Sequence, residues 1–334
     1  MADDQVAAGG PLFTREALEA AAALVHRHMA PTPAYAWPLL ARRAGGEVIV
    51  KHENHTPTGA FKLRGGLVYL DELARAGDCP GIVTATRGNH GQSIPFAARA
   101  HGIPVTVYVP EGNSREKNAA MEGWGAKLMV HGRDFEEARL EAVRVAEAEG
   151  LHIVPPFAEP IVRGVASYAL ELFTAHPDLK TVYVPIGMGS GICALITARD
   201  VLGIDCEIVG VVAETADAYA RSFEAGRPVA TDTCVTFADG MACRAPWAEP
   251  VAIICRGAAR VVRVSDDAIA EAIRIYYADT HNLAEGAGAA PLAALLQEGP
   301  AGRRPGKAGV ILCGGNIDRE WFAEILAGRT PVPA

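Results

Sequence analysis

Three short stretches hold residues whose types and spacing suit joint chemistry. The first is Thr58-Gly59-Ala60-Phe61-Lys62-Leu63-Arg64-Gly65-Gly66, in which a lysine sits one aromatic residue beyond a Thr-Gly turn and just ahead of a helix. An amine partly desolvated by an apolar neighbour such as Phe61 loses basicity and becomes a Schiff-base nucleophile. Taken alone, Lys62 reads as an ordinary surface lysine. The second stretch, Gly187-Met188-Gly189-Ser190-Gly191, closes a β-branched run and opens a helical one. Small residues there let several backbone N–H groups converge on one anion at a helix start, which suits a phosphate cup and equally a plain structural turn. Ile192 stands where a dinucleotide fingerprint needs its third glycine, and no Lys-Ser/Thr pair follows to make a nucleoside triphosphate loop. The third stretch, Thr86-Arg87-Gly88-Asn89-His90-Gly91-Gln92, offers backbone donors and the Thr86 hydroxyl to a carboxylate by the same helix-start logic. His90 by itself reads as structural.

The elements that must position these stretches alternate along the chain. Strands are predicted over 48–52, 82–86, 105–109, 128–130, 181–185, 208–213, 261–264 and 310–312. Helices are predicted over 64–76, 93–101, 136–149, 165–174, 192–202, 266–277 and 289–296. This is an α/β pattern, and without a visible repeat unit it favours two open, largely parallel twisted sheets with flanking helices and a cleft between them over a single barrel. Pro155, Pro156 and Pro160, with the Cys79-Pro80-Gly81 turn, are the crossing points. They divide the chain into a large domain, 1–79 with 158–334, and a small one, 80–157.

Composition narrows the function classes. In 334 residues, 39 acidic against 31 basic side chains give a net charge of −8 with no Lys/Arg block, which points to small metabolites and away from nucleic acid. No apolar run reaches the roughly 18 residues a membrane span needs. Residues 1–10 lack a basic start and an apolar signal core, so a cytoplasmic protein is expected. Seven cysteines without a CxxC pair suit reduced thiols, and none has zinc-ligand spacing.

In order and spacing, the three stretches resemble the fold type II pyridoxal-phosphate enzymes, most closely the threonine/serine dehydratase and serine racemase group. The resemblance runs over nearly the whole chain. Ala238-Asp239-Gly240-Met241-Ala242 resembles the family's Asp-Gly segment beside the cofactor ring. Glu285-Gly286-Ala287-Gly288-Ala289 resembles its Glu-(Pro/Gly)-x-(Gly/Ala) turn, and Leu312-Cys313-Gly314-Gly315-Asn316 its Ser-Gly-Gly-Asn ending. The resemblance implies a tryptophan synthase β-like fold with pyridoxal 5′-phosphate between the domains, bound mainly by the large one. By the same resemblance Lys62 holds the cofactor as a Schiff base, Phe61 packs on its ring and Asn89 bonds its 3-hydroxyl. Gly187, Met188, Gly189, Ser190 and Gly191 surround the phosphate, Gly240 and Glu285 flank the ring, and Cys313 faces the pyridine nitrogen. Thr86, Arg87, Gly88, Asn89 and His90, in the small domain, take the substrate carboxylate.

A neutral side chain at the ring nitrogen makes the cofactor a modest electron sink, so a substrate carbanion should be quenched quickly by β-elimination, with Lys62 as general base. The expected reaction is dehydration and deamination of a β-hydroxy amino acid to a 2-oxo acid and ammonia. The substrate is threonine or serine, or a bulkier or dicarboxylic analogue such as phenylserine or 3-hydroxyaspartate. Racemase, β-replacement synthase and threonine synthase are the alternatives within the enzyme class; a catalytically silent cofactor-binding protein and a nicotinamide-dependent oxidoreductase lie outside it.

Several departures from the resembling group bear on this. Arg87 stands where racemases carry the serine that serves as their second base, and a guanidinium is a poor proton shuttle at neutral pH. Arg87 either recognises a second carboxylate or an aromatic group of the substrate, or points outward to surface acids, and Arg244 raises the same question. Ala60 replaces a serine, and Gly164-Val165-Ala166-Ser167 differs from the group's Gly-Gln-Gly-Thr, which suggests a side branch. Some relatives bind a divalent cation in the region of Glu214 and Asp217, here at a shorter spacing; no metal is expected, and these two are the candidates if one binds. The chain ends at Ala334, leaving no room for the regulatory domain of biosynthetic threonine deaminases, so a catabolic homodimer is expected.

Overall fold

The alternating runs fold into ten strands in two sheets. The structure is a computed structural model and describes residues 10–77, 79–133, 135–299 and 306–333. The strands are β1 (Ala34–Ala36), β2 (Val48–His52), β3 (Ile82–Ala85), β4 (Val105–Val109), β5 (Lys127–Val130), β6 (His152–Ile153), β7 (Thr181–Pro185), β8 (Glu207–Ala213), β9 (Arg260–Val264) and β10 (Ala308–Leu312). Six form one sheet in the order β1-β2-β10-β7-β8-β9, parallel except for β1 on β2. The other four form an all-parallel sheet in the order β5-β4-β3-β6. Every residue of β7 and β10 is buried, because helices cover both faces, and this is why these strands read as continuous apolar runs rather than alternating ones.

Five helices frame the cleft: α1 (Lys62–Ala76), α2 (Asn89–Ala98), α3 (Arg115–Gly123), α4 (Ser190–Leu202) and α5 (Gly286–Glu298). The sequence puts four of these starts two to four residues later, in α2, α4 and α5 by reading glycines as turn residues, and misses α3. The glycines are instead the first helical turns of chains that must pack closely. A Cβ on Gly91 would collide with the Met121 sulfur, and one on Gly288 with the Gly314 carbonyl oxygen. The single helix expected over 165–174 is two, Glu159–Val165 and Ser167–Ala175. Strands β1 and β6, of three and two residues, were too short for a periodic signal. The stretch 1–10, read for a targeting signal, lies outside the described residues except for Gly10. No helix of the described residues is long and apolar enough to cross a membrane.

Behind α1 lies a buried ionic cluster. The Arg64 side chain is fully buried, and its guanidinium reaches Glu53 at 2.7 Å and Glu171 at 2.7 Å and bonds the Ser167 hydroxyl at 2.9 Å. Lys51, also buried, pairs with Glu171 and donates to the Thr32 carbonyl at 2.7 Å. Burial pushes the Glu171 carboxyl up, but Arg64 and Lys51 outweigh it and hold the group down at about 2. The loops that follow β2, β3, β7 and β10 all leave the carboxyl ends of their strands, the place where open parallel sheets collect ligands.

Candidate active site

Lys62 is the first residue of α1 rather than a loop residue ahead of it. The turn before it is locked to the end of β10. Phe61 N donates to the Cys313 carbonyl at 2.9 Å, Gly315 N to the Gly59 carbonyl at 2.9 Å, and Ala60 forms a bridge with Gly314. Thr56 closes the same turn, its hydroxyl accepting from Ala60 N at 2.9 Å. The lysine amine lies 4.9 Å from the Phe61 ring centroid and donates to the Ser190 hydroxyl at 2.9 Å. Burial lowers its pKa to about 8, with Cys313 opposing weakly, and its place in the first turn of a helix acts in the same direction as burial. An amine so poised is a nucleophile near neutral pH.

Ser190 belongs to the turn between β7 and α4. Gly189 takes φ +95°, a conformation that favours glycine, and a Cβ on Gly187 would collide with the Gly240 carbonyl oxygen. Among the described residues, the amides of Gly187, Met188 and Gly189 have no hydrogen-bond acceptor. Tyr219 holds the Met188 carbonyl at 3.1 Å and Tyr168 the Gly191 carbonyl at 3.0 Å, so the turn is fixed from behind while its N–H groups stay free. Unsatisfied donors at the start of a 13-residue helix make an anion cup.

Opposite the cup, Asn89 opens α2. Its amide donates to Glu285 at 2.7 Å and accepts from Asn316 at 2.8 Å, so its plane is set by residues from two distant motifs. Glu285 is buried, its second oxygen has no partner, and burial pushes its carboxyl up to about 7. The Cys313 thiol is buried and pushed well above its ordinary value, so it stays neutral. His90 is buried, with an unpartnered Nε2; burial and the nearby Lys62 charge depress its pKa to about 3, which keeps it neutral as well.

One cleft brings together every residue singled out above for cofactor and substrate: Phe61, Lys62, Thr86 through His90, Gly187 through Gly191, Gly240, Glu285 and Cys313. It holds about 1050 Å³ of non-atom space, open solvent at its mouth included. An amine nucleophile beside an anion cup, a fixed amide, a neutral thiol and two orphaned buried polar atoms fit a phosphorylated aromatic aldehyde. The metal candidates do not come together. Glu214 is exposed, and the Asp217 carboxylate is engaged by Arg221 at 2.8 Å and Arg263 at 3.0 Å.

The sequence missed Lys117 of α3. Its stem packs on Gly88, where a Cβ would meet Lys117 Cδ at 2.9 Å, and its buried amine pairs with Asp239 inside the cleft. Asn316 and Asp239 stood within quoted motifs without a role; Asp239 lines the cleft, as do Phe135, which carried no signal, and Pro156, read only as a crossing point between domains.

A family model described as pyridoxal-phosphate dependent enzyme matches residues 25–314. The chain is 37% identical over 285 residues to an L-threonine ammonia-lyase of Geobacter sulfurreducens, covering 85% of this chain and 71% of that one. It is 31% identical over 300 residues to an L-threo-3-hydroxyaspartate ammonia-lyase of a Pseudomonas species, covering 89% and 93%. Among solved structures, maize serine racemase superposes with a TM-score of 0.88 at 25% identity, covering 94% of this chain and 97% of that one.

Proposed function

The chain belongs to the pyridoxal-phosphate dependent enzymes, and on that premise we propose that it is an ammonia-forming lyase that dehydrates a β-hydroxy amino acid. One observation carries the reading: the cleft has a single amine poised as a base, Lys62, and an arginine, Arg87, where a second proton shuttle would have to stand. Lys62 holds the cofactor, the free amides of Gly187, Met188 and Gly189 with the Ser190 hydroxyl bind its phosphate, and Asn89 fixes its ring hydroxyl. Pyridoxal phosphate, when bound, supplies the electron sink that makes the substrate α-proton acidic.

The chain's own residues do the rest. The Thr86–Asn89 turn orients the substrate carboxylate, so that the Cα–H bond faces Lys62 Nζ. Lys62 Nζ, which the substrate amine would displace from the cofactor, takes the proton, and the β-hydroxyl leaves as water with a proton handed back from the same amine. The unsaturated amine that is released takes up one water and gives the 2-oxo acid and ammonia. The neutral Cys313 thiol leaves the ring nitrogen without a carboxylate partner, which favours rapid elimination over a long-lived carbanion. Inversion would need a second base on the face opposite Lys62, and a guanidinium does not serve.

The test is a screen for 2-oxo acid and ammonia across L and D β-hydroxy amino acids, repeated with Lys62→Ala. Release of both products, lost in the variant together with the visible band of the bound cofactor, is the expected outcome. Retained turnover in Lys62→Ala, or inversion as fast as elimination in the parent, would overturn the proposal.

A further inference from the structure

The charges of the cleft do not balance at its mouth. Lys117 is neutralised by Asp239, and the Lys62 amine is directed to Ser190 in the interior. Two guanidinium groups remain. Arg87 follows Thr86 at the carboxyl end of β3, is exposed and lines the cleft. Arg244 is exposed and follows Cys243, which lines the cleft. Both act on the same thiol: burial pushes Cys234 up, while Arg244 and Arg87 each oppose it. Arg87 comes from the end of β3 and Arg244 from the segment after the Asp239–Met241 turn, so two separate pieces of chain bring positive charge to this neighbourhood. Among the described residues neither side chain has a carboxylate or a hydrogen-bond acceptor.

The substrate α-carboxylate is served by backbone and hydroxyl donors of the Thr86–Asn89 turn, which leaves the Arg87 side chain surplus to that task. A planar, permanently charged fork matches a carboxylate better than it matches a methyl or a hydrogen. Resting on the lyase reading above, we propose that the preferred substrate carries a second carboxylate at the end of its side chain, held between Arg87 and Arg244. The class is β-hydroxy amino dicarboxylic acids, with 3-hydroxyaspartate the shortest member and 3-hydroxyglutamate the next.

The experiment uses the enzyme loaded with pyridoxal phosphate and measures kcat/KM for threo- and erythro-3-hydroxyaspartate, 3-hydroxyglutamate, threonine and serine. A dicarboxylate should be preferred over threonine by about 10-fold or more. Arg87→Gln and Arg244→Gln should each lower that preference by about 10- to 100-fold through KM, and Arg87→Lys, which keeps the charge without the fork, should fall between Arg87→Gln and the parent. Salt at about 0.5 M should weaken the preference, as screening demands of a site near solvent. Binding is read separately, as stabilisation of the protein against heat by succinate, present in the parent and lost in Arg87→Gln. Turnover of threonine with no preference for either dicarboxylate, or a preference that both Gln variants leave within about 3-fold, overturns the inference while the lyase reading stands. Arginine-dependent succinate binding without deamination of any hydroxy amino acid overturns the lyase reading while the recognition stands.

Discussion

Glu285 is the residue whose charge the site tolerates least. Burial raises its carboxyl to about 7, Lys117 and Asn89 pull it down, and Asp239 pushes it further up, while one oxygen has no partner. A carboxyl whose folded pKa lies above its unfolded value of 4.5 favours folding most below that value, and the contribution is lost as pH rises through about 7. Urea melts without added cofactor should therefore show Glu285→Gln gaining on the parent between pH 5 and 8, by about 3 kcal/mol. A difference that stays flat with pH would mean that Glu285 titrates normally. At this scale the sequence was most legible where motifs kept company: Lys62, Asn89 and the turn 187–191 acquire meaning from one another's order. Lys117 had no such company. A lysine on a mixed helix carries the expectation of exposure, and its burial depends on the room left by Gly88 in another element.

Helices and strands determine how tightly the cleft's backbone is drawn. The turn between β7 and α4 approaches the Asp239–Met241 turn so closely that Gly187 has no space for a methyl group. Gly187→Ala must displace backbone, not a flexible side-chain tip. Titration with pyridoxal phosphate should show affinity falling by about 10- to 100-fold, the effect of an overpacking strain of 1–3 kcal/mol. Unchanged affinity would show that the turn can move without loosening its amides. The same tight packing explains where sequence reasoning about elements stopped short. It located the strands of the sheet interiors, whose apolar runs are long, and lost β1 and β6, which are short and lie at sheet edges. It placed helix starts late because glycine signals a turn locally, whereas Gly91, Gly286 and Gly288 are helical and small for the sake of neighbours far along the chain.

Across the whole molecule, Arg64 joins pieces of chain that the sequence gives no reason to connect. Its partners Thr32, Glu53, and Ser167 with Glu171 come from three separate segments, and it lies two residues from Lys62. Arg64→Met leaves two buried carboxylates without their principal cation, and urea melts should register a loss of about 3–5 kcal/mol. A loss under about 1 kcal/mol would mean that Lys51 and water compensate. The two-sheet plan itself was legible from the alternation of runs, but strand order was not, since it follows from packing rather than periodicity. That order has a consequence for how the protein is made. β10, the last strand of the described residues, lies in the interior of its sheet between β2 and β7, and the segment after it clasps the turn that carries Lys62. Until β10 is synthesised, β2 and β7 present unpaired inner edges that invite pairing with other chains. The pairings of β10 with β2 and of its following segment with the lysine's turn join residues more than 250 positions apart, so folding should finish slowly and all at once. On the ribosome the sheet should therefore stay split down its middle, without a working site, until that strand is inserted.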